Sequence, residues 1–252
     1  MRHFGLIGHP LGHSFSKAYF TEKFAREGLD CEYQNYDIED LSLIPNLDLN
    51  GFNVTIPYKE AILSYLDELD PIAAEVDAVN TVKALPDGRL KGFNTDVIGI
   101  ARSLAGGLPP PRFARGRLSF APRNDKSALI LGSGGASKAV QYVLRHKNIT
   151  YHLVSRDPLK GDFTYEDLTP EIIQSHLLII NATPVGMAPN TEEAHRLPYE
   201  ALTPQHTLFD LIYNPLETRF LRQGREHGAR TINGLAMLHA QAEASWAIWN
   251  QQ

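Results

Sequence analysis

The stretch that most constrains the fold of this 252-residue chain is SALILGSGGASKAVQYVLRHKN, followed directly by ITYHLVS, residues 127–155. Its apolar run from Ala128 to Leu131 reads as a strand buried on both faces, because a half-exposed strand would alternate. Glycines at 132, 134 and 135 then turn the chain into a helix-like run, and a second short strand pattern follows. Parallel strands need a crossover of a dozen or more residues, usually a helix, so the stretch prescribes a βαβ unit. LLIINAT and TLFDLIY add two more candidate parallel strands.

The same glycines suggest a ligand. Gly132 and Gly134 sit where a strand turns into a helix, a place where the backbone can approach a pyrophosphate and the helix N-terminus can stabilise its charge. The third position of G-x-G-x-x-G is Ser137, so the pattern is incomplete, and many such turns use glycine for steric reasons alone. The strand before, the helix after and the next strand at the expected interval favour dinucleotide binding. Where an acidic residue would hold an adenosine ribose, the chain reads VSRDPLKG. Arg156, with Lys160 nearby, suits a 2′-phosphate, while Asp157 opposes one; NADP is the expected cofactor.

Charged residues make up 21% of the chain and the net charge is -5, so no broad basic field marks a nucleic-acid partner or an anionic membrane surface. No run approaches the ~20 apolar residues of a membrane span. A small-molecule substrate is the expectation. Cys31 is the only cysteine, which excludes an intramolecular disulfide and a multi-cysteine zinc site and fits a reducing compartment. The amino terminus, MRHFGLIGHPLGHS, lacks the apolar region and cleavage site of a signal peptide, so a cytoplasmic location is expected. His3, His9 and His13 lie close together without an H-E-x-x-H pattern, and no metal is expected.

From Arg2 to about Gly99, strand-like runs (FGLIG, CEYQNYDI, GFNVTI, AVNTVKAL) alternate with helix-like ones (SKAYFTEKFAREG, YKEAILSYLDEL), the mark of an α/β layer. Residues 105–126 break the pattern with prolines, glycines and arginines and read as a surface loop or linker. The last stretch reads as a helix with Leu235, Leu238, Ala242, Trp246 and Trp249 near one face. In GFNVTIPYKEAIL, Pro57 suits the first position of a helix, which would put Lys59 in its first turn, an unfavourable place for a cation by roughly 0.3–1 kcal/mol. Ser14 and Ser16 lie two apart at a helix start; one serine is enough for a cap, whereas two hydroxyls could bind a carboxylate. Asn80 and Asn94 can close turns, and Asp96 can cap the next helix. The polar groups around Lys59, Asn80 and Asp96 are also expected to gather at one side of a parallel sheet, where ligands of open α/β sheets bind.

The ordered set GHPLGHSFS, NVTIPYK, AVNT, GFNTD, LGSGGASKA, SR, NATPVGM, DLIYNPLET and NGLAMLHAQA resembles the shikimate dehydrogenase family across nearly the whole chain. The resemblance implies an α/β protein of two domains: an N-terminal substrate domain with a mostly parallel sheet, and a Rossmann-like NADP-binding domain, with a cleft between them. Residues 1–100 and 235–252 would form the first, and residues 101–234 the second. It implies an oxidoreductase that reduces 3-dehydroshikimate to shikimate with NADPH on the route to chorismate and the aromatic amino acids, as a monomer or homodimer. Ser14 and Ser16 would hold the substrate carboxylate, and Thr55, Asn80, Tyr213 and Gln241 its ring hydroxyls. Lys59 and Asp96 match the catalytic pair. Gly132, Ser133, Gly134, Gly135, Ala136, Ser155 and Arg156 match cofactor contacts, with Leu211 and Gly234 lining the nicotinamide.

The chain departs from the family pattern at three places. Lys17 stands where the family usually has proline, Ser155-Arg156-Asp157 replaces Asn-Arg-Thr, and the 105–126 loop is longer than usual. Asp157 keeps open an NAD-linked quinate/shikimate dehydrogenase. A third reading, a non-catalytic sensor of NADP or shikimate, is opposed by the retention of Lys59 and Asp96.

Overall fold

The structure, a computed structural model, describes residues 1–11, 14–105 and 127–251. It divides into two compact units, Met1–Thr95 with Gln241–Gln252, and Asp96–Ala240. The expected linker at 105–126 lies, apart from Ala105, outside the described residues.

In the first unit the chain runs β1 (Arg2–Gly8), α1 (Phe15–Glu27), β2 (Cys31–Asp37), β3 (Gly51–Val54), β4 (Glu68–Leu69), α2 (Pro71–Val76), β5 (Thr81–Ala84) and β6 (Leu90–Phe93). The sheet order is β2-β1-β3-β5-β6-β4. β1 is parallel to both β2 and β3, and β4 to β6, whereas β5 is antiparallel to both its neighbours. Both faces of the sheet are covered. On β3, Phe52 and Val54 join Ile7, Ile62, Val79 and Val82 in one apolar cluster. The two-residue period of a strand sends Asn53, which pairs with Leu6, to the other face.

The second unit runs α3 (Asp96–Leu104), β7 (Ala128–Leu131), α4 (Gly135–His146), β8 (Tyr151–Val154), α5 (Pro170–Ser175), β9 (Leu178–Asn181), β10 (Thr207–Asp210), α6 (Arg219–Glu226) and β11 (Arg230–Ile232). Its five strands, in the order β11-β10-β9-β7-β8, are all parallel, as the unbroken apolar runs require. β7 is followed on one side by β8 and flanked on the other by β9, so the strand order reverses there, with the glycine turn at the reversal.

The final helix, α7 (Leu235–Trp249), contributes to both units. In the first, Ala242 and Trp249 pack with Phe4, Leu6, Phe20, Phe24 and Tyr33. The Trp249 ring stacks on Phe4 at 4.8 Å, and its Nε1 donates to the Val82 carbonyl at 2.9 Å. Only glycine fits at position 51, because a Cβ there would meet the Trp249 ring. Burying a side chain of this size is worth roughly 1.5–3 kcal/mol, which anchors α7 across the sheet.

Two expectations for the first unit are corrected. YKEAILSYLDEL does not form an α-helix: Lys59 and Glu60 lie in a turn, Ala61–Tyr65 is a 3₁₀ helix, and Glu68–Leu69 is extended. Pairing wins over helix propensity here, since the Asp67 N–H donates to the Leu90 carbonyl and Glu68 pairs with Lys91. Lys59 therefore lies just before the N-cap Glu60 of a short 3₁₀ helix, not in the first turn of an α-helix.

Candidate active site

Asn80 immediately precedes β5, so AVNTVK leads into a strand. The expected gathering by parallel strand ends is corrected accordingly: antiparallel β5 starts, and β6 ends, at the edge where β3 ends. Thr55, Asn80, Asn94 and Thr95 therefore cluster through a reversal of direction. Thr55 donates its N–H to the Ile7 carbonyl at 2.9 Å. Asn80 is 3% exposed; its Oδ1 accepts the Thr95 N–H at 2.7 Å and its Nδ2 donates to Thr95 Oγ1 at 3.0 Å. Asn94 donates to the Ala78 carbonyl at 2.9 Å, the turn-closing role open to it. Gln241, also buried, lies with its Oε1 3.5 Å from the Thr95 hydroxyl.

The two N-terminal serines differ. Ser14 is the N-cap of α1, accepting the Lys17 N–H at 3.2 Å. A proline at position 17 has no such N–H, so the lysine there gives Ser14 a capping bond. Lys17 Nζ donates to Gln34 Oε1 at 2.7 Å. Ser16 is buried, and its hydroxyl faces that of Tyr33, whose own pKa burial drives upward.

Lys59 is half-buried, and its carbonyl accepts the Val79 N–H at 2.8 Å, which ties its turn to the strand start at Asn80. Asp96 opens α3 in the second unit and is 4% exposed, a degree of burial rare for a carboxylate without a purpose.

In the second unit, Gly132 has φ +107°, and a Cβ there would lie 2.7 Å from the Thr183 methyl. Both facts demand glycine. At Gly134 a Cβ would meet nothing in the protein, so open space remains over the turn. Gly134 is also the N-cap of α4 and offers no side chain to the first-turn N–H groups of Gly135 and Ala136. A glycine without a steric reason beside an uncapped helix start suits a dinucleotide pyrophosphate. Ser137 is buried on α4 and accepts from Gln141 at 3.3 Å, so the third motif position packs a hydroxyl. Ser133 Oγ and Ser155 Oγ lie 3.3 Å apart, and the Ser155 hydroxyl also accepts the Asp157 N–H at 3.1 Å. Leu211 and Gly234 touch: a Cβ at Gly234 would run into the Leu211 carbonyl. Tyr213, half-buried, lies two residues after Leu211 in the segment that follows β10.

Arg156 is exposed, with neighbours the sequence did not announce. Its charge reaches Tyr165 and His195, whose rings stack in parallel at 4.8 Å. Burial, then the Arg156 charge, pushes His195 down to about 4, so it stays neutral beside the guanidinium. Asp157 closes its own turn, accepting the Leu159 N–H at 3.0 Å and pairing with Lys160 at 3.8 Å. Asp210 is a second unannounced group. Fully buried at the end of β10, it accepts from Thr218 Oγ1 at 2.6 Å, Asn181 Nδ2 at 3.0 Å and the Ile212 N–H at 3.0 Å, yet burial pushes its carboxyl up to about 6. Its one visible signal is an acidic residue ending an otherwise apolar strand.

Residues 6–82 match the family described as the shikimate dehydrogenase substrate binding domain. A shikimate dehydrogenase (NADP(+)) of Methanococcus maripaludis is 38% identical over 97% of this chain and 90% of its own. The shikimate 5-dehydrogenase of Thermus thermophilus, solved in complex with NADP(H) and shikimate, superposes with a TM-score of 0.81 at 32% identity, covering 99% of this chain and 94% of that one. A quinate dehydrogenase of Corynebacterium glutamicum, solved with NAD, gives a TM-score of 0.83 at 27% identity, covering 99% and 93%. Because the similarity spans both units, with the glycine turn and the polar sheet edge each in place, the chain belongs to the shikimate dehydrogenase family.

Proposed function

We propose that this chain catalyses the reversible reduction of 3-dehydroshikimate to shikimate with NADPH, a step toward chorismate and the aromatic amino acids. The observation that carries this reading is full-length similarity to relatives named as NADP-dependent shikimate dehydrogenases. The open space over Gly134 and the uncapped start of α4 fit the cofactor's pyrophosphate. NADPH, when bound, supplies the hydride that reduces the C3 carbonyl carbon. Lys59 gives its Nζ proton to the oxygen that becomes the hydroxyl, and Asp96 is its carboxylate partner; in the reverse direction Lys59 takes that proton back. Ser16, with Ser14, holds the substrate carboxylate, while Thr55, Asn80, Tyr213 and Gln241 hold ring hydroxyls. Arg156 pairs with the 2′-phosphate, and neutral His195 leaves the guanidinium as the cation there.

The second reading, an NAD-linked quinate/shikimate dehydrogenase, draws on Asp157 and on the fold of the quinate dehydrogenase. Against it, the Asp157 carboxylate is engaged within its own turn. The test is NADPH formation from shikimate and NADP, with NAD and quinate as alternatives in parallel. Turnover with shikimate and NADP at the highest kcat/KM is expected. Equal or better kcat/KM with NAD and quinate would establish the second reading, and ligand binding without turnover would leave a sensor.

A further inference from the structure

Behind Asn80 and Gln241 lies a buried hydroxyl, Ser245 on α7, that no site assignment includes. It is fully buried in the first unit, surrounded by Asn53, Thr81 and Thr95. Ser245 Oγ lies 3.0 Å from the Gln241 carbonyl one turn earlier, which has no proton, so Ser245 donates there. Thr81 Oγ1, 2.8 Å from Ser245 Oγ, must then donate to Ser245. Thr95 Oγ1, at 3.1 Å, can in turn donate to Thr81 and accept from Asn80 Nδ2 at 3.0 Å. Hydrogen bonds thus connect the Asn80 amide through Thr95, Thr81 and Ser245 to the backbone of Gln241, and the Thr95 hydroxyl also reaches Asn80 Oδ1 at 3.2 Å and Gln241 Oε1 at 3.5 Å. A second branch enters Ser245, whose Oγ accepts from Asn53 Nδ2 at 2.9 Å; Asn53 Oδ1 accepts from the Tyr33 hydroxyl at 2.8 Å, and Tyr33 faces Ser16.

We propose that Ser245 is a positioning residue for substrate binding: its hydroxyl, accepting from Thr81 and Asn53 and donating to the Gln241 carbonyl, holds α7 and the Gln241 it carries against the strand start that carries Asn80. The proposal rests on the shikimate reading of the site. A serine in mid-helix that only bonds back to its own i−4 carbonyl would have no such effect, and the two alternatives separate experimentally.

The experiment measures shikimate affinity directly, by titration calorimetry without cofactor, together with NADP affinity and a melting curve, for wild type, Ser245→Ala and Thr81→Val. Thr81→Val replaces a hydroxyl by a methyl of like size and cuts the same chain without touching α7. If wild type fails to bind shikimate, the functional reading fails first and takes this proposal with it. If wild type binds, both variants should bind shikimate roughly 3- to 10-fold more weakly, the range of one neutral hydrogen bond, with NADP affinity unchanged. A folded Ser245→Ala that binds shikimate like wild type overturns the proposal. Should Ser245→Ala fail to fold, Thr81→Val decides by the same criterion.

Discussion

The two units prepare their candidate ligand sites by opposite means. In the first, side chains are locked by side chains: Asn80, Thr95, Thr81, Ser245, Asn53 and Tyr33 bond one another away from water. In the second, side chains are withheld: Gly132 and Gly134 leave space, and an uncapped helix start offers backbone N–H groups. Under the proposed function, the difference follows from what must be recognised. A sugar-like ring with several hydroxyls demands directional donors and acceptors at fixed angles, and a site so built rejects analogues strongly because unmatched buried groups are costly. A pyrophosphate is a diffuse charge that backbone N–H groups and a helix dipole satisfy together. Substitutions should therefore hurt through lost polar groups in the first unit and through added atoms or altered charge in the second.

The largest expected effect tests the first half of that contrast. Lys59→Ala should lower kcat by about 10²–10⁴, the usual contribution of a general acid, with a much smaller change in KM. Asp96→Asn should act in the same direction more weakly, since it keeps shape and loses charge. Steady-state kinetics in both directions, with a melting curve, make the check. A folded Lys59→Ala variant whose kcat stays within about tenfold removes Lys59 from the chemistry.

The contrast also explains what the sequence disclosed. The second unit was largely legible because its signals are local: an unbroken apolar strand, a glycine turn and a helix follow one another within a single stretch. The first unit's site was legible only through family resemblance, since Asn53, Thr81, Thr95 and Ser245 are scattered and become neighbours by strand pairing and by the docking of α7. Asn53 sits in a period-two pattern that suggests a polar outer face, yet that face is covered. The turn carrying Lys59 reads as a helix in the sequence because the pairing of Glu68–Leu69 with β6 is long-range and leaves no mark in local propensity. Tyr165 and His195 carry no sequence signal for the same reason: only folding brings them beside Arg156.

Asp210 is the point where the second unit breaks its own rule, with a buried carboxylate in a region otherwise served by backbone. Its folded-state pKa of about 6 lies above the 3.8 of the free group. The stability it contributes is therefore fully present below pH 3.8 and is lost as pH rises through about 6. Above that, the ionised carboxylate leaves the fold about 3 kcal/mol weaker than the protonated form would. Relative to Asp210→Asn, the wild type should thus lose about 2–3 kcal/mol between pH 4 and 7 in urea titrations. A wild-type-minus-variant difference that is flat across that range would place the ionisation of Asp210 outside the stability balance.

Arg156 tests the charge half of the contrast. Arg156→Ala should weaken NADP by about 1.5–3 kcal/mol, the range of a charge-assisted bond, and NAD far less. Equal losses for the two nucleotides would mean that Arg156 serves the adenine and not the phosphate.

The smallest effects divide the two serines, whose positions two residues apart give them different surroundings. Ser14 accepts the Lys17 N–H, so Ser14→Ala should cost about 1 kcal/mol of stability, as loss of an N-cap does. Ser16 caps nothing and lies buried beside Tyr33, at the end of the chain of groups that reaches Ser245. Ser16→Ala should therefore raise the shikimate KM with little change in melting temperature. If both serines acted only as helix-start residues, the two variants would shift melting alone. If both acted only on the carboxylate, neither would. Paired melting and kinetic measurements on the single variants separate these cases: with both serines on the carboxylate and only Ser14 capping, Ser14→Ala should lower the melting temperature and raise the shikimate KM, and Ser16→Ala should raise KM alone.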